Sequence, residues 1–406
     1  MSGSLVGGVA GAVFGSLPGG VSIMVGLGIG QLLGSLFDSQ RVQRYDQGKL
    51  SDRRVSGSSY GSDIPRVWGK AKVGVNCVWF AKDADGNHLK KRKKRKRSGG
   101  KGGGGSEVTT YSYSCTLAGL VCEASIHFPA TGTFSHRNPV LKRLWANDVL
   151  VYDSASPGTV VPEWHDGTET QAPSSVIVSA DGTATGDTNA FRGMGYFTLE
   201  DFNLADYGNQ PPQLTAEIWT DAVDLADIVS DICQSRGILA SELDVSAGVG
   251  VSVSGFVCTN RAGGAEQLER LLLACDQDLA EIDGKLVLVP RSSAATFTVS
   301  EDHLGAGGAA MLAQSLPGEA DLPGRGDVRY YDLGNQQGVM TEVRQTADVQ
   351  RIETLDLPLA LTGAAARAIA ARRLDAAWLE GRSLRFTLPP RYLKIAPGDK
   401  GDVQAG

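Results

Sequence analysis

The chain has 406 residues, 42% of them apolar and 21% charged, which is ordinary globular usage over a length that allows about two to four domains; global disorder and a mini-protein dependent on staples are excluded. Formal charge is −6, from 39 Lys plus Arg and 45 Asp plus Glu. Nine of the bases fall between Lys90 and Lys101, so the rest of the chain sets 30 bases against 45 acids, or −15, which argues against a basic nucleic-acid face spread over the fold.

Leu5 to Phe37 carries no charge and is long enough to span a bilayer on length alone. Eleven glycines in the first 40 residues, together with Pro18, make an isolated helix costly, at about 1 kcal/mol per Gly and about 3 for Pro. Spacings such as Gly7, Gly11, Gly15 and Gly26, Gly28, Gly30, Gly34 suit close backbone approach. Three readings stay open for this segment: packing between subunits of an assembly, a membrane-active element, or a flexible leader. The N-terminus lacks the basic n-region of a signal peptide, so synthesis and folding in the cytoplasm are expected.

Residues 41–60 are polar and turn-rich, and IPRVWGKAKVGVNCVWF (Ile64 to Phe80) alternates as one or two strands. KKRKKRKRSGGKGGGGS (Lys90 to Ser106) is expected to be a long exposed loop, an insertion at 88–106 within a β-domain, because VTTYSYSCTLAGLVCEASIHF returns to strand chemistry at Val108. RLWANDVLVYD, AFRGMGYFTLEDF and Gln213 to Trp219 continue as short strands, spaced as in a barrel or sandwich. At Asp221 the period becomes helical, with Val223, Ala226, Ile228, Val229 and Ile232 on one face and Gly237 as a stop. A strand (Val249 to Val257), a helix in GGAEQLERLLLACDQ and a hairpin turning at Asp283 and Gly284 follow. Strands near Phe297, 328–331, 339–344 and 352–357 precede the strongest helix, LTGAAARAIAARRLDAAWLEGRS, and a last strand, SLRFTLP. The expected organisation is mainly β with some α: 1–40, a glycine-rich apolar segment; 41–220, a first β-rich domain; 221–300, an α/β domain; 301–406, a second β-rich region that ends abruptly.

Candidate chemistry has a plain alternative at each place. Gly57-Ser58-Ser59-Tyr60-Gly61 matches G-x-S-x-G, but Pro65 and strand-like residues follow where a nucleophile elbow needs a helix. Gly26, Gly28, Gly30 and Gly34 are misspaced for a dinucleotide fingerprint. His88, His127, His136, His165 and His303 are scattered, and Cys77, Cys115, Cys122, Cys233, Cys258 and Cys275 form no CxxC, so no metal or cofactor is expected and the thiols read as buried and reduced. Glu163, Asp166 and Glu169 lie close enough for glycosidase-type carboxylates, or form a solvated face. The interaction candidates are Lys90, Lys91, Arg92, Lys93, Lys94, Arg95, Lys96 and Arg97, eight consecutive cations suited to an acidic partner, an anionic membrane surface, DNA phosphates or nuclear targeting.

The chain resembles the tail-tip and baseplate hub proteins of long-tailed bacteriophages and gene transfer agents. The segments that carry the resemblance are SDRRVSGSSYGSDIPRVWGKAKVGVNCVWF, the Gly/Lys-rich run before VTTYSYSCTLAGLVCEASI, LKRLWANDVLVYD, TETQAPSSVI and AFRGMGYFTLEDFNLADYGNQPPQLTAEIW, then ADIVSDICQSRGI, DLAEIDGKLVLVPR, GDVRYYDLGNQQ and LRFTLPPRYLKIAPGD. It implies a non-enzymatic virion protein, a homotrimer in which each subunit supplies two tail-tube-like β-barrels that meet a hexameric tube. The implied partners are a distal tail protein or tube hexamer, the tape-measure protein and tail fibre or receptor-binding proteins, with transient contact to DNA and host membrane. Larger relatives carry a TIM-barrel-like domain where Trp219 here runs straight into a helix, and their pattern continues past Pro-Gly-Asp, so receptor contact is expected from separate fibres. A tail-associated cell-wall or glycan hydrolase is the alternative.

Overall fold

The computed structural model describes residues 44–47, 63–99, 105–182, 187–221, 223–259, 262–291, 295–305, 312–316, 318, 321–332, 338–345, 351–381, 383–395 and 398–404. In chain order the principal strands begin with β1 (Arg44–Gln47), β2 (Pro65–Gly74), β3 (Asn76–Phe80), β4 (Lys90–Gly99) and β5 (Gly105–Glu123). After β6 (Ser125–Phe128) and β7 (Thr133–His136) come β8 (Val140–Ala146), β9 (Val149–Asp153), β10 (Glu163–His165) and helix α1 (Ser175–Asp181). Next are β11 (Met194–Asn203), β12 (Leu214–Trp219), α2 (Leu225–Ser235), β13 (Gly255–Thr259), α3 (Gly264–Ala274), β14 (Gln277–Ile282) and β15 (Lys285–Pro290). The series closes with β16 (Arg325–Asp332), β17 (Gly338–Arg344), β18 (Ile352–Leu361) and α4 (Gly363–Glu380). The fold is mainly β with some α, in several sheets.

Two compact units divide the chain. The first comprises Met1–Val55, Lys82–Thr116 and Asp201–Pro212. Its centre is an antiparallel ladder between β4 and β5, running from Lys90 opposite Ser114 to Gly99 opposite Gly105. β1 runs parallel to β5 along Glu107 to Thr110, which leaves β4 at an edge among the described residues. The basic run is therefore a strand, where a loop is expected from its composition. In an extended chain neighbouring side chains point to opposite faces, and cations on one face recur about every 7 Å. At that spacing two unit charges in water repel by only about 0.6 kcal/mol, which a regular ladder of backbone hydrogen bonds offsets.

The second unit comprises Ser56–Ala81, Leu117–Glu200 and Gln213–Gly406. Its main sheet runs β10, β11, β5, β2, β13, β18, β16, β17, and β2 also pairs with β12, which pairs with β8. Closing a sheet into a barrel requires its terminal strands to pair. Here β10 and β17 end the order, so the two barrels expected from the resemblance are not closed among the described residues.

The Ile64–Gly69 string sits at the middle of this sheet. Trp68 is fully buried against Phe256, ring centroids 5.6 Å apart, in a core shared with Leu225, Ile228, Val229, Ile232, Leu271 and Ala366. Gly69 has φ +69° and lies opposite Gly255 in the β2–β13 ladder. A Cβ on Gly255 would overlap the Lys70 carbonyl, so the two backbones approach this closely only without a side chain. Of the helical face predicted after Asp221, Ala226, Ile228, Val229 and Ile232 are buried on α2, whereas Val223 is buried just before it, in a two-residue strand paired with Val253. The Asp-Gly hairpin also forms: Ile282 pairs with Lys285, and Asp283 and Gly284 both take positive φ, the twist a two-residue turn needs.

Candidate functional site

The cationic hairpin of the first unit is built by alternation. Lys91 and Lys93 stand opposite Tyr113 and Tyr111 in the ladder, while Lys90, Arg92, Lys94 and Lys96 stand opposite Ser114, Ser112, Thr110 and Val108. The Lys91 and Lys93 ammoniums lie 4.3 and 5.8 Å from the Tyr111 ring centroid, so the cations cover an aromatic face that is itself buried. On the other face Asp201 holds Lys90 at 3.0 Å and Arg92 at 3.6 Å. Asp201 is in turn placed by its backbone N–H, which donates to Thr116 Oγ1 at 3.1 Å. Lys94 and Lys96 are exposed and pair with no acid among the described residues. Arg95 and Arg97 take the register positions opposite Thr109 and Glu107. Tyr111 and Asp201 are not evident as site residues in the sequence; the period-two Tyr-Ser-Tyr-Ser pattern after Val108 is the signal that marks Tyr111 as one face of a strand.

A second cationic arrangement lies in the second unit, on β2, β8 and β12. Lys70 and Lys142 reach the Trp219 ring at 4.2 and 5.0 Å, and Lys72 reaches Trp145 at 4.1 Å. The Trp219 indole N–H donates to Glu217 at 2.7 Å, and Arg143 joins Glu217 to Asp153. The three strands that carry these residues are separated by about 70 positions each in the chain, as from Lys70 to Lys142 and from Arg143 to Glu217, and only strand pairing brings them together.

Of the carboxylates singled out in the sequence, Glu163 and Asp166 hold the loops, whereas Glu169 is exposed. Glu163 accepts from Ser174 Oγ at 2.6 Å and Thr198 Oγ1 at 3.0 Å, while Ser174, fully buried, caps α1 by accepting from the Val176 N–H. Burial raises the Glu163 pKa, but the donors from Ser174 and Thr198 outweigh it and hold the carboxyl below its ordinary value. His165 stacks on Tyr196, centroids 4.4 Å apart, and burial lowers its pKa against the opposing pull of Glu163 and Asp166. Asp166 caps the Thr168 N–H at 3.2 Å. Nearby, Gln171 donates to the carbonyls of Ala190 and Phe191 and accepts from the Gly167 N–H, so the Gln-Ala-Pro turn is a buried clasp between loops.

Two buried ion pairs complete the second unit. Arg66 forks onto Glu123 at 2.8 and 2.9 Å and reaches Ser235 at 3.0 Å. Asp231 accepts from the Trp68 indole at 2.8 Å and from Arg137 at 2.6 Å, while burial pushes its pKa up. Burial also pushes Cys77, Cys233 and Cys275 up to about 11, and Cys122 and Cys258 up to about 12, which suppresses thiolate chemistry at neutral pH. An open cleft of about 860 Å³ is edged by Asp278, Arg291, Arg372, Asp375, Asp399 and Lys400, a mixed lining in which Arg291 bridges Asp278 at 2.6 Å. No group of three or more His, Cys, Asp or Glu able to hold a metal occurs among the described residues. Gly26, Gly28, Gly30 and Gly34, and the Gly57 to Gly61 string, lie outside those residues. Among the described residues no helix is long and apolar enough to cross a membrane.

Residues 264–400 match the family described as "Putative phage tail protein". Among solved structures, the chain is similar to one in the virion of a native gene transfer agent particle, at 24% identity and a TM-score of 0.68, covering 94% of this chain and 91% of that one. It is more distantly similar to the 43 kDa tail protein of prophage MuSo2 from Shewanella oneidensis, at 10% identity, a TM-score of 0.32 and coverage of 82% and 89%. A tail protein from Neisseria meningitidis MC58 stands at the same distance, with 10% identity, a TM-score of 0.31 and coverage of 83% and 87%. No curated protein matches. The resemblance to tail proteins of phages and gene transfer agents read from the sequence is borne out.

Proposed function

We propose that this structural tail protein is the hub at the distal end of a phage-like tail, closing the tube before infection and gating the release of DNA and tape-measure protein. The observation that supports this reading is the fold shared with a gene-transfer-agent virion chain along 94% of the present chain, joined to a phage tail family match over residues 264–400. The hub assembles as a homotrimer after synthesis in the bacterial cytoplasm, meets a distal tail protein or tube hexamer above, and passes host attachment to fibre or receptor-binding proteins. The mechanism is assembly and gating rather than catalysis. The glycine-rich segment 1–38, with Gly26, Gly28, Gly30 and Gly34 allowing close approach near the axis, is the plug or membrane-contacting element.

Deleting residues 1–38 tests the gate. Tails should still assemble, as counted by negative-stain microscopy, while DNA retention or delivery falls; infectivity equal to wild type would overturn the gating role. Mass spectrometry of purified particles tests the hub itself, and absence of the chain from particles would overturn it.

A further inference from the structure

We propose that the β4–β5 hairpin binds the phosphodiester backbone of double-stranded DNA without regard to sequence. The hairpin alone supplies this binding; its occasion in infection rests on the tail-tip reading, in which the genome passes this protein.

The charge is organised along a line rather than gathered in a patch. Because β4 is extended, Lys90, Arg92, Lys94 and Lys96 follow one another on one face about 7 Å apart, a row suited to a polymer carrying regularly repeated negative charges. Asp201 engages the first two, and the exposed Lys94 and Lys96 extend beyond it. Thr110 and Ser112 of β5 occupy the same face opposite Lys94 and Arg92, hydroxyl donors of the kind that contact phosphate oxygens beside lysine and arginine. The rest of the chain carries a net charge of −15, so the basic run is the part of the sequence that most favours approach of a polyanion.

Two further features select among polyanions. Binding of single strands relies on aromatic rings on which bases stack. The hairpin's rings, Tyr111 and Tyr113, are 7% and 1% exposed, and Tyr111 lies beneath Lys91 and Lys93, so no ring face is offered to a base. A polybasic row attracts anionic headgroups as well as DNA phosphates, but stable lodging in a membrane surface adds apolar side chains that enter the acyl boundary. The exposed residues of β4 are lysine and arginine, and the sequence joining β4 to β5 contains Lys101 and glycines with no apolar residue. A row of cations with neither stacking rings nor apolar anchors is a backbone reader.

The test uses the full chain with a short fluorescein-labelled duplex of mixed sequence, followed by anisotropy across a salt series. The proposal expects binding at low salt that weakens with log salt at a slope of about −0.9 per phosphate contacted. Replacing Lys94 and Lys96 together by Ser should weaken binding and flatten that slope by about two. Replacing all eight bases from Lys90 to Arg97 by Ser should abolish binding. Because the eightfold variant alters a whole strand, its circular dichroism is measured alongside, and the double variant carries the result if the strand is lost. Equal duplex affinity of the double variant and wild type would overturn the proposal. So would tighter binding to phosphatidylglycerol-containing vesicles, to poly-glutamate or to a single-stranded oligonucleotide at the same salt. A chain found in tails that fails to bind duplex removes this proposal and leaves the tail reading standing.

Discussion

Arg66 and Arg92 are both strand arginines, and each faces a carboxylate, yet the two units use them in opposite ways. In the second unit the Arg66 side chain is 4% exposed and forks onto Glu123 from the strand that carries the Trp68 core. In the first, the Arg92 side chain is 63% exposed and approaches Asp201 only to 3.6 Å. One guanidinium is fixed by a desolvated, doubly hydrogen-bonded partner, whereas the other keeps its hydration and remains available to something outside the chain. The contrast teaches that a charged residue's role is set by its cross-strand neighbours, with burial deciding whether the charge is structural or offered.

That contrast can be broken most severely at the β2–β13 crossing. Gly255→Ala places a methyl against the Lys70 carbonyl, and the expected result is loss of at least about 4 kcal/mol, read as a lowered urea midpoint or as insoluble protein. Next in size, Arg66→Ala leaves Glu123 desolvated without its fork and should cost roughly 3–5 kcal/mol by the same measurement; a change below about 1 kcal/mol would show that water reaches the pair.

The pH response sharpens the comparison further. Glu163 has a folded pKa below its ordinary 4.5, so its ionised form contributes stability above that value, and the contribution is lost as pH falls through the lowered folded pKa. Wild type should therefore exceed Glu163→Gln in denaturant midpoint at neutral pH, and the gap should close on acidification below 4.5. The smallest effect belongs to the hairpin: Lys94→Ser with Lys96→Ser should leave the unfolding midpoint within about 0.5 kcal/mol of wild type, as surface positions do, while altering polyanion binding.

Where period and turn chemistry agree, as in the helical face from Ala226 to Ile232 and the Asp283–Gly284 hairpin, the elements are legible in the sequence. The Ile64–Gly69 string is legible as a motif, but its role as the joint of the main sheet depends on Gly255, nearly 200 positions later. The basic run misleads because composition speaks for a solvated loop, while the signal for a strand lies in its partner, the alternating Tyr111 and Tyr113. The Lys70, Trp219 and Lys142 cluster has no local signal at all, since three strands must pair before it exists. Fold class follows from periodicity along the chain, whereas sites formed across strands require the pairing itself.

The most direct test of the central claim is a cryo-EM reconstruction of the tail end of particles from the producing strain. The side chains of this chain should fit density at the distal tip with threefold symmetry, beneath a sixfold tube. Density there built from another protein, with this chain absent from the particle, would contradict it.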